Sequence, residues 1–328
     1  AEKIEPDQAI LMKKLGMFDF RVPHMEPMGY TINYRDGRLT KYDTIEQYGI
    51  NYGDTINSLR RHLLDEDNFR VSKIDSITNT PSRQTVVLND GTNISAKLVV
   101  IATGGTSQLT KNLDLSKRPN LSLITFNAGF YLKPAAGNEF EFNGFNYYLD
   151  RKDLGVDYMT LFKIGDSYRA NIFAQWRANE RDAKAMRDAT LPEIKKYFPD
   201  LEKEIGAFEI NSKIQFFFTE FYRLKNIRES GVVIIGDEYQ SVCPATGSGL
   251  SKVFTDTDVL CHKYIPKWLD QDEINERDTR RFYNDEAKLA CDQDSLNRWV
   301  YYRDSKYGFL RNQWSRIDSR FRTLLNAW

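Results

Sequence analysis

Two hydrophobic rhythms divide this chain, one of helical period and one that alternates residue by residue. In residues 4–18 the apolar positions Ile10, Leu11, Leu15 and Phe18 recur at helical spacing, and Gly16 supplies a C-terminal stop. From Met28 to Tyr42 the text changes to a hairpin, YTINY and LTKY around Arg35-Asp36-Gly37-Arg38, with Asp-Gly as the turn. A helix from Thr55 would then put Ile56, Leu59, Leu63 and Leu64 on one face. Residues 69–101 predict three strands, FRVSKIDSI, QTVVLND and ISAKLVVIATGG, with Asn89-Asp90-Gly91-Thr92 as a hairpin turn. Leu98–Ile101 is continuously apolar, which predicts a central strand buried on both faces.

The middle of the chain is strand-rich: SLITFNAGFYL, EFEFNGFNYYLD, YMTLFKIG and SYRANIFAQW fall within residues 121–178. A helical segment over 183–206 is broken near Pro192 and at Phe198-Pro199, and SKIQFFFTEFY (212–222) returns to a strand. Beyond Pro266 the helical rhythm resumes. There Trp268, Phe282, Leu289, Leu296, Trp299, Val300, Tyr307, Leu310, Trp314 and Phe321 recur at three-to-four spacing, predicting two or three helices that pack on the body or form a dimer contact.

Between these blocks lies the segment richest in chemistry, Gly231 to Asp258. Val232-Val233-Ile234-Ile235 predicts a short buried strand ending at Gly236-Asp237, where a small residue lets the chain turn and a carboxylate is left at the strand's carboxyl end. Pro244 and the small-residue loop Ala245-Thr246-Gly247-Ser248-Gly249 follow, then a helix from about Leu250. Strand, acid, proline, glycine loop and helix together present backbone N–H groups and one acceptor to a ligand. Each part also has an ordinary reading, as turn glycines or a turn-capping acid.

This segment resembles the second flavin-binding motif of FAD-dependent aromatic hydroxylases, the para-hydroxybenzoate hydroxylase-like flavoprotein monooxygenases. The matching residues are Gly236-Asp237, Pro244, Gly247-Ser248-Gly249-Leu250 and Asp256. The resemblance implies that Asp237 hydrogen-bonds the ribityl chain of FAD, while Gly236, Pro244, Thr246, Gly247, Ser248, Gly249 and Leu250 lie along the cofactor. Ala102-Thr103-Gly104 is similar to the ATG motif of two-dinucleotide-fold flavoproteins, which implies contact with the adenosine half; alone, it is equally a strand-to-loop turn. The chain departs from the pattern at Glu238-Tyr239-Gln240, at Ser251 and at Val253, and Tyr52-Gly53-Asp54 stands where family members often carry an arginine.

The fold class this implies is α/β: an FAD-binding two-dinucleotide-fold (Rossmann-like) domain, an inserted antiparallel-sheet substrate domain and a helical C-terminus. The expected division is 1–118 and 226–265 for the two parts of the FAD-binding domain, 119–225 for the substrate domain and 266–328 for the C-terminal helices. No strand–GxGxxG–helix unit is present in the text, and the sequence begins at Ala1. Both features lead to the expectation of a fragment that lacks an N-terminal βαβ unit, and leave open whether this chain holds FAD.

Composition narrows the function classes. Lys+Arg and Asp+Glu are both 46, so no global charge favours nucleic acid. The mean hydropathy of −0.56 and the lack of a long apolar run give no membrane span. Three cysteines (Cys243, Cys261, Cys291) form no CxxC pair, which fits a reducing cytoplasmic setting, and His24, His62 and His262 have no ligand spacing, so no metal site is expected.

The resemblance implies an oxidoreductase that uses FAD and NAD(P)H to hydroxylate a small aromatic or unsaturated molecule through a flavin C4a-hydroperoxide. Two other readings stay open: a flavin-dependent reductase of the geranylgeranyl-reductase type, and a non-catalytic scaffold that has lost FAD. No catalytic acid or base can be assigned; Tyr147, Tyr148 and Glu220 are the nearest candidates. For a substrate pocket, alternation in SYRANIFAQW puts Arg169, Asn171, Phe173 and Gln175 on one face and Trp176 on the other. In IQFFFTEFY it separates Gln215, Phe217 and Thr219 from Phe216, Phe218 and Glu220. The sequence does not say which face would meet a flavin. Cys243 is read as a buried inert thiol, and Asp256 as a residue that caps or packs its helix.

Overall fold

The computed structural model describes residues 2–20, 25–43, 46–63, 69–105, 109, 113, 115–149, 154–176, 180–187, 190–225, 227 and 229–307. His24, Leu64, Leu310, Trp314 and Phe321 lie outside them.

The N-terminal region opens with β1 (Glu2–Ile4) and α1 (Pro6–Lys14), followed by β2 (Glu26–Pro27). Pro6 occupies the first turn of α1, Glu5 and Gln8 close its start reciprocally, and Gly16 ends it with its N–H on the Lys13 carbonyl. The hairpin β3 (Tyr30–Arg35) and β4 (Arg38–Asp43) turns on Asp36 (φ 49°) and Gly37 (φ 77°), the doubly left-handed turn that Asp-Gly favours. β5 (Tyr48–Ile50) pairs with β1 and β2, and α2 (Tyr52–Arg60) follows.

Helix α2 starts earlier than Thr55 because Asn51 caps it, its side chain accepting from the Asp54 N–H at 3.3 Å. Its buried face carries Thr55 and Ser58; Leu63 lies beyond the helix and is 49% exposed. The expected apolar stripe is therefore not the packed one.

Next come β6 (Ile74–Asn79), β7 (Gln84–Leu88), β8 (Asn93–Ala96) and β9 (Val99–Ile101). The third strand expected from the sequence is in fact two: β8 pairs with β7, whereas β9 pairs in parallel with a strand far along the chain. Nor is β9 covered on both sides. Val100 is 38% exposed, because among the described residues this parallel sheet has only two strands.

The largest sheet contains β10 (Ser116–Pro134), β11 (Gly144–Tyr148), β12 (Val156–Ile164), β13 (Ser167–Ala174), β14 (Phe208–Ile210) and β15 (Gln215–Lys225). Its order is β14-β10-β13-β12-β11-β3-β4, with β15 also on β10. The hairpin Tyr30–Asp43, taken with residues 1–118 in the sequence, joins this sheet by running parallel to β11. Helices α3 (Arg181–Arg187), α4 (Leu191–Tyr197) and α5 (Leu201–Ile205) cover one face. Phe126, Phe130, Met159, Ile172, Trp176, Ile194 and Phe198 fill the space between, all buried.

The remaining chain runs through β16 (Val232–Ile234), α6 (Gly236–Tyr239), α7 (Gly249–Val259), α8 (Ile265–Leu269), α9 (Glu276–Tyr283) and α10 (Glu286–Tyr307), with a π-helical stretch at Leu260–Tyr264. Leu296 and Trp299 of α10 pack inward as their spacing predicts, but Leu289 is exposed. The protein is thus a mixed α/β fold with several sheets and a helical C-terminal part.

Candidate functional site

β16 and β9 run parallel, Val232 opposite Val99 and Ile234 opposite Ile101, so both strands end on the same side. Ligands of α/β folds collect outside such carboxyl ends. Beyond β16, Gly236 takes φ 62°, a left-handed conformation that glycine adopts at no steric cost. This swings the chain into α6 and leaves the side chain of Asp237 exposed. The surrounding protein partly desolvates the Asp237 carboxyl and pushes its pKa up, with Lys252 pulling in the opposite direction.

After α6, Cys243 leads into a 3-10 turn, Pro244–Thr246, which Gly247 closes. Thr246 Oγ1 donates to the Cys243 carbonyl at 2.8 Å and lies 2.9 Å from Ser248 Oγ. Gly247 is exposed with open space around it, and α7 begins at Gly249, so first-turn N–H groups of the helix border the loop. Buried Gln8 of α1 clamps the loop from behind, its Nε2 donating to the Gly247 carbonyl at 2.9 Å and to Ser251 Oγ at 3.0 Å.

Ala102, Thr103 and Gly104 follow β9 directly and stand beside α6. Thr103 Oγ1 donates to Glu238 Oε2 at 3.3 Å, and Tyr222 OH donates to the Asp237 carbonyl at 2.7 Å. Glu238 is fully buried, and its Oε1 has no hydrogen-bond partner among the described residues. The two sequence motifs therefore meet in space although more than a hundred residues separate them.

The large sheet turns one face to this loop. Tyr158 OH donates to the Ala245 carbonyl at 2.5 Å, Thr125 Oγ1 lies 3.4 Å from Cys243 Sγ, and Phe173 and Phe221 pack with Cys243, Ala245, Leu296 and Trp299. Cross-strand pairing sets Gln215 against Gly129, Phe217 against Asn127 and Thr219 against Thr125, and residues directly opposite share a face. Arg169, Asn171, Phe173, Gln215, Phe217 and Thr219 thus lie on the loop-facing side, and Gln175 continues that alternation. Tyr147 and Glu220 point the other way; Tyr148 is on the loop side, stacked on Tyr158 at 5.5 Å.

Arg169 lies flat along this face. Its Nε donates to Asn171 Oδ1 at 3.0 Å, Nη1 reaches Gln215 Oε1 at 3.4 Å, and the guanidinium rests 5.2 Å from the Tyr131 ring centroid. A Cβ on Gly129 would overlap the guanidinium, so glycine makes that pose possible. Phe217, 54% exposed, leaves an apolar surface beside these polar groups. Gln175 is instead tied to Asp157 at 3.2 Å, and Phe173 is buried against the loop. Burial pushes the Cys243 thiol up to about 11, which leaves it protonated and inert at neutral pH.

A buried box of four charges underlies the loop, and sequence reasoning did not single it out. Lys252 and Asp256 stand four apart on α7; Lys288 and Asp292 stand four apart on α10; all four are 3% exposed or less. Lys252 pairs with Asp292, and Lys288 pairs with Asp256 at 2.7 Å and Asp292 at 3.3 Å. The ring of Tyr239 lies 4.1 Å from Lys288 Nζ, and Arg223 donates to its hydroxyl at 2.7 and 3.0 Å. Burial raises the Asp292 pKa, but Lys252 and Lys288 more than reverse this and hold it low; for Lys288, burial is likewise outweighed by Asp292 and Asp256, and its pKa is raised. The recurring Lys-x-x-x-Asp spacing in both helices was the available signal.

Among the described residues no group of His, Cys, Asp and Glu could hold a metal ion, and no helix is long and apolar enough to cross a membrane. The sequence matches no protein-family model and no curated protein. Solved structures do match in fold. A triple mutant of the flavin-dependent brominase Bmp2 aligns with TM-score 0.69 at 12% identity, over 98% of this chain and 83% of that one. Klebsiella pneumoniae HpxO, complexed with FAD and uric acid, aligns with TM-score 0.62 at 17% identity, over 96% and 85%. The p-nitrophenol 4-monooxygenase PnpA of Pseudomonas putida aligns with TM-score 0.59 at 13% identity, over 94% and 87%. With strand, acid, proline and glycine loop placed at the carboxyl ends of a parallel pair, the chain carries the fold of FAD-dependent flavoprotein monooxygenases.

Proposed function

We propose that this protein is an FAD-dependent monooxygenase acting on a small aromatic or unsaturated substrate, with NAD(P)H as reductant. One observation carries the reading: the exposed Asp237 and the Gly247–Leu250 loop sit at the carboxyl ends of β16 and β9 and are roofed by a sheet face bearing both polar and apolar groups. The fold it shares with HpxO, which binds FAD and uric acid, and with PnpA, a p-nitrophenol monooxygenase, supports the same conclusion.

The residues fit the ribityl and ring half of the cofactor. Asp237 offers an exposed carboxylate for ribityl hydroxyls, the α7 N-terminus offers N–H donors for an electron-rich ring edge, and open space surrounds Gly104 and Gly247. Buried Glu238, with one oxygen unsatisfied among the described residues, supplies an acceptor beside Thr103 on the Ala102–Gly104 side. Bound FAD would supply oxygen activation. The protein's part is to hold ring and substrate together and to exclude water. On the sheet face, Arg169 with Asn171 and Gln215 would orient a polar substituent, while Phe217 would flank the substrate ring.

On this reading residues 1–118, apart from the hairpin Tyr30–Asp43 that joins the large sheet, and 226–265 form the two parts of the cofactor domain, and 119–225 the rest of the substrate domain. The three unpaired cysteines of the chain, Cys243, Cys261 and Cys291, suit the cytoplasm. The test is a titration of the purified chain with FAD and with riboflavin, followed by flavin fluorescence and visible absorption. Saturable binding, and oxygen consumption coupled to a hydroxylated product when NAD(P)H and phenols are supplied, are expected. Absence of flavin binding rejects the reading; flavin reduction without oxygen insertion would instead favour a reductase.

A further inference from the structure

We infer that Lys288, on the C-terminal helix α10, is a positioning residue for the Gly236–Asp237 turn: by holding Asp256 it fixes Gly236 and thereby aims Asp237. The inference rests on the flavin reading above and extends it to the buried Lys288 of α10.

The chain of contacts is short and fully buried. Gly236 donates its N–H to Asp256 Oδ2 at 3.0 Å. The other oxygen, Oδ1, accepts from Lys288 Nζ at 2.7 Å. Each carboxylate oxygen of Asp256 thus has a separate task, one on the turn and one on the C-terminal helix. Lys288 is fixed in turn by Asp292 at 3.3 Å and by the face of Tyr239, a residue of the same short helix as Asp237. Gln240, which ends that helix, donates to the Asp292 carbonyl at 3.3 Å. Helix α10 therefore grips α6 at both ends, through Asp256 at Gly236 and directly at Gln240.

Fastening α10 to α7 does not by itself explain this arrangement. The ion pair between Lys252 and Asp292 already joins those helices, and Leu296 and Trp299 pack α10 against the loop that precedes α7. What Lys288 adds is a fixed orientation for the Asp256 carboxylate, and the turn at Gly236 depends on that orientation. An Asp256 released from Lys288 could rotate, and the left-handed turn would lose its buried acceptor.

The test compares the wild-type chain, Lys288→Met and Ile194→Ala, a core truncation on the far face of the large sheet. Riboflavin is the probe because it reports only the ribityl and ring half of the site; affinity is read by fluorescence quenching, and the visible flavin band by its shift on binding. Lys288→Met is expected to weaken riboflavin by about tenfold or more and to change the bound spectrum. Ile194→Ala is expected to lower the melting temperature while leaving affinity and spectrum as in wild type. If Lys288→Met does not fold, Lys288→Gln, which keeps a donor for Asp256, is read against the same control, with a smaller loss of affinity expected. Wild-type affinity and spectrum in whichever Lys288 variant folds would overturn the inference while leaving the flavin reading intact. Failure of the wild-type chain to bind riboflavin would overturn both.

Discussion

Phe221 and Trp299 stack in parallel, their ring centroids 5.0 Å apart and their planes 10° from one another. One ring belongs to the loop-facing side of the large sheet and the other to the C-terminal helix, with Cys243 and Ala245 of the glycine loop in the same cluster. Trp299→Ala is expected to cost about 3–5 kcal/mol, the usual range for emptying a buried tryptophan site. Equilibrium urea denaturation checks it, and a loss below about 1 kcal/mol would mean the cluster closes around the gap.

Flavin affinity should depend on the charge of Asp237. Desolvation by the surrounding protein raises its pKa in the free protein, against the pull of Lys252, so the protonated form persists over a pH range above that of an ordinary aspartate. A ribityl hydroxyl that donates to the carboxylate favours the charged form, so binding should strengthen as pH rises through the raised pKa. The sign for stability is opposite: an acid whose folded pKa is raised contributes stability at low pH and loses it as pH rises. Riboflavin titrations across that range should show the gain in wild type and none in Asp237→Asn.

Thiol chemistry separates the cysteines. Cys261 is exposed, whereas Cys243 is buried and has its pKa pushed up to about 11. An aromatic disulfide reagent at neutral pH should modify Cys261 first and reach Cys243 only on unfolding. Mass spectrometry of partly labelled protein shows the order; early labelling of Cys243 would mean the sheet and loop separate readily.

Gly129→Ala offers a test of the sheet face that does not touch Arg169 itself. The added methyl would occupy the guanidinium's place, so Arg169 must leave Tyr131, Asn171 and Gln215. The expected result is a rise in KM for an aromatic substrate with flavin affinity unchanged, measured by steady-state oxygen uptake and by flavin titration. An unchanged KM would remove Arg169 from substrate contact.

The local structure of the candidate site was legible in the chain. Strand, glycine, acid, proline and glycine loop lie within thirty residues, and each has a backbone reason to be where it is. Alternation also sorted Arg169, Asn171 and Phe173 from Trp176, because β13 pairs with β10 without a bulge and so keeps its period of two. What failed was long-range. Nothing local says that Val99–Ile101 leaves its neighbours in β8 to pair with Val232–Ile234, or that Val100 then stays partly exposed. Which sheet face meets the loop depends on contacts such as Tyr158 to Ala245, and the charge box on two helices whose Lys and Asp look like surface pairs when read separately. Helix α2 misled for a different reason: an asparagine cap and a small polar face, rather than an apolar stripe, decide where it begins and how it packs.

The clamp of Gln8 on the Gly247 carbonyl has a consequence for the order of events during synthesis. The loop is supported from residue 8, from Thr125, and from Lys288 and Asp292 through Asp256 and Lys252. Few of these contacts are local, so closing them carries the entropy cost of long chain segments, and such contacts form late in folding. A nascent chain that has already built the large sheet still lacks a finished loop until α10 has left the ribosome. The candidate flavin loop therefore gains its full set of supports only after most of the chain has been made.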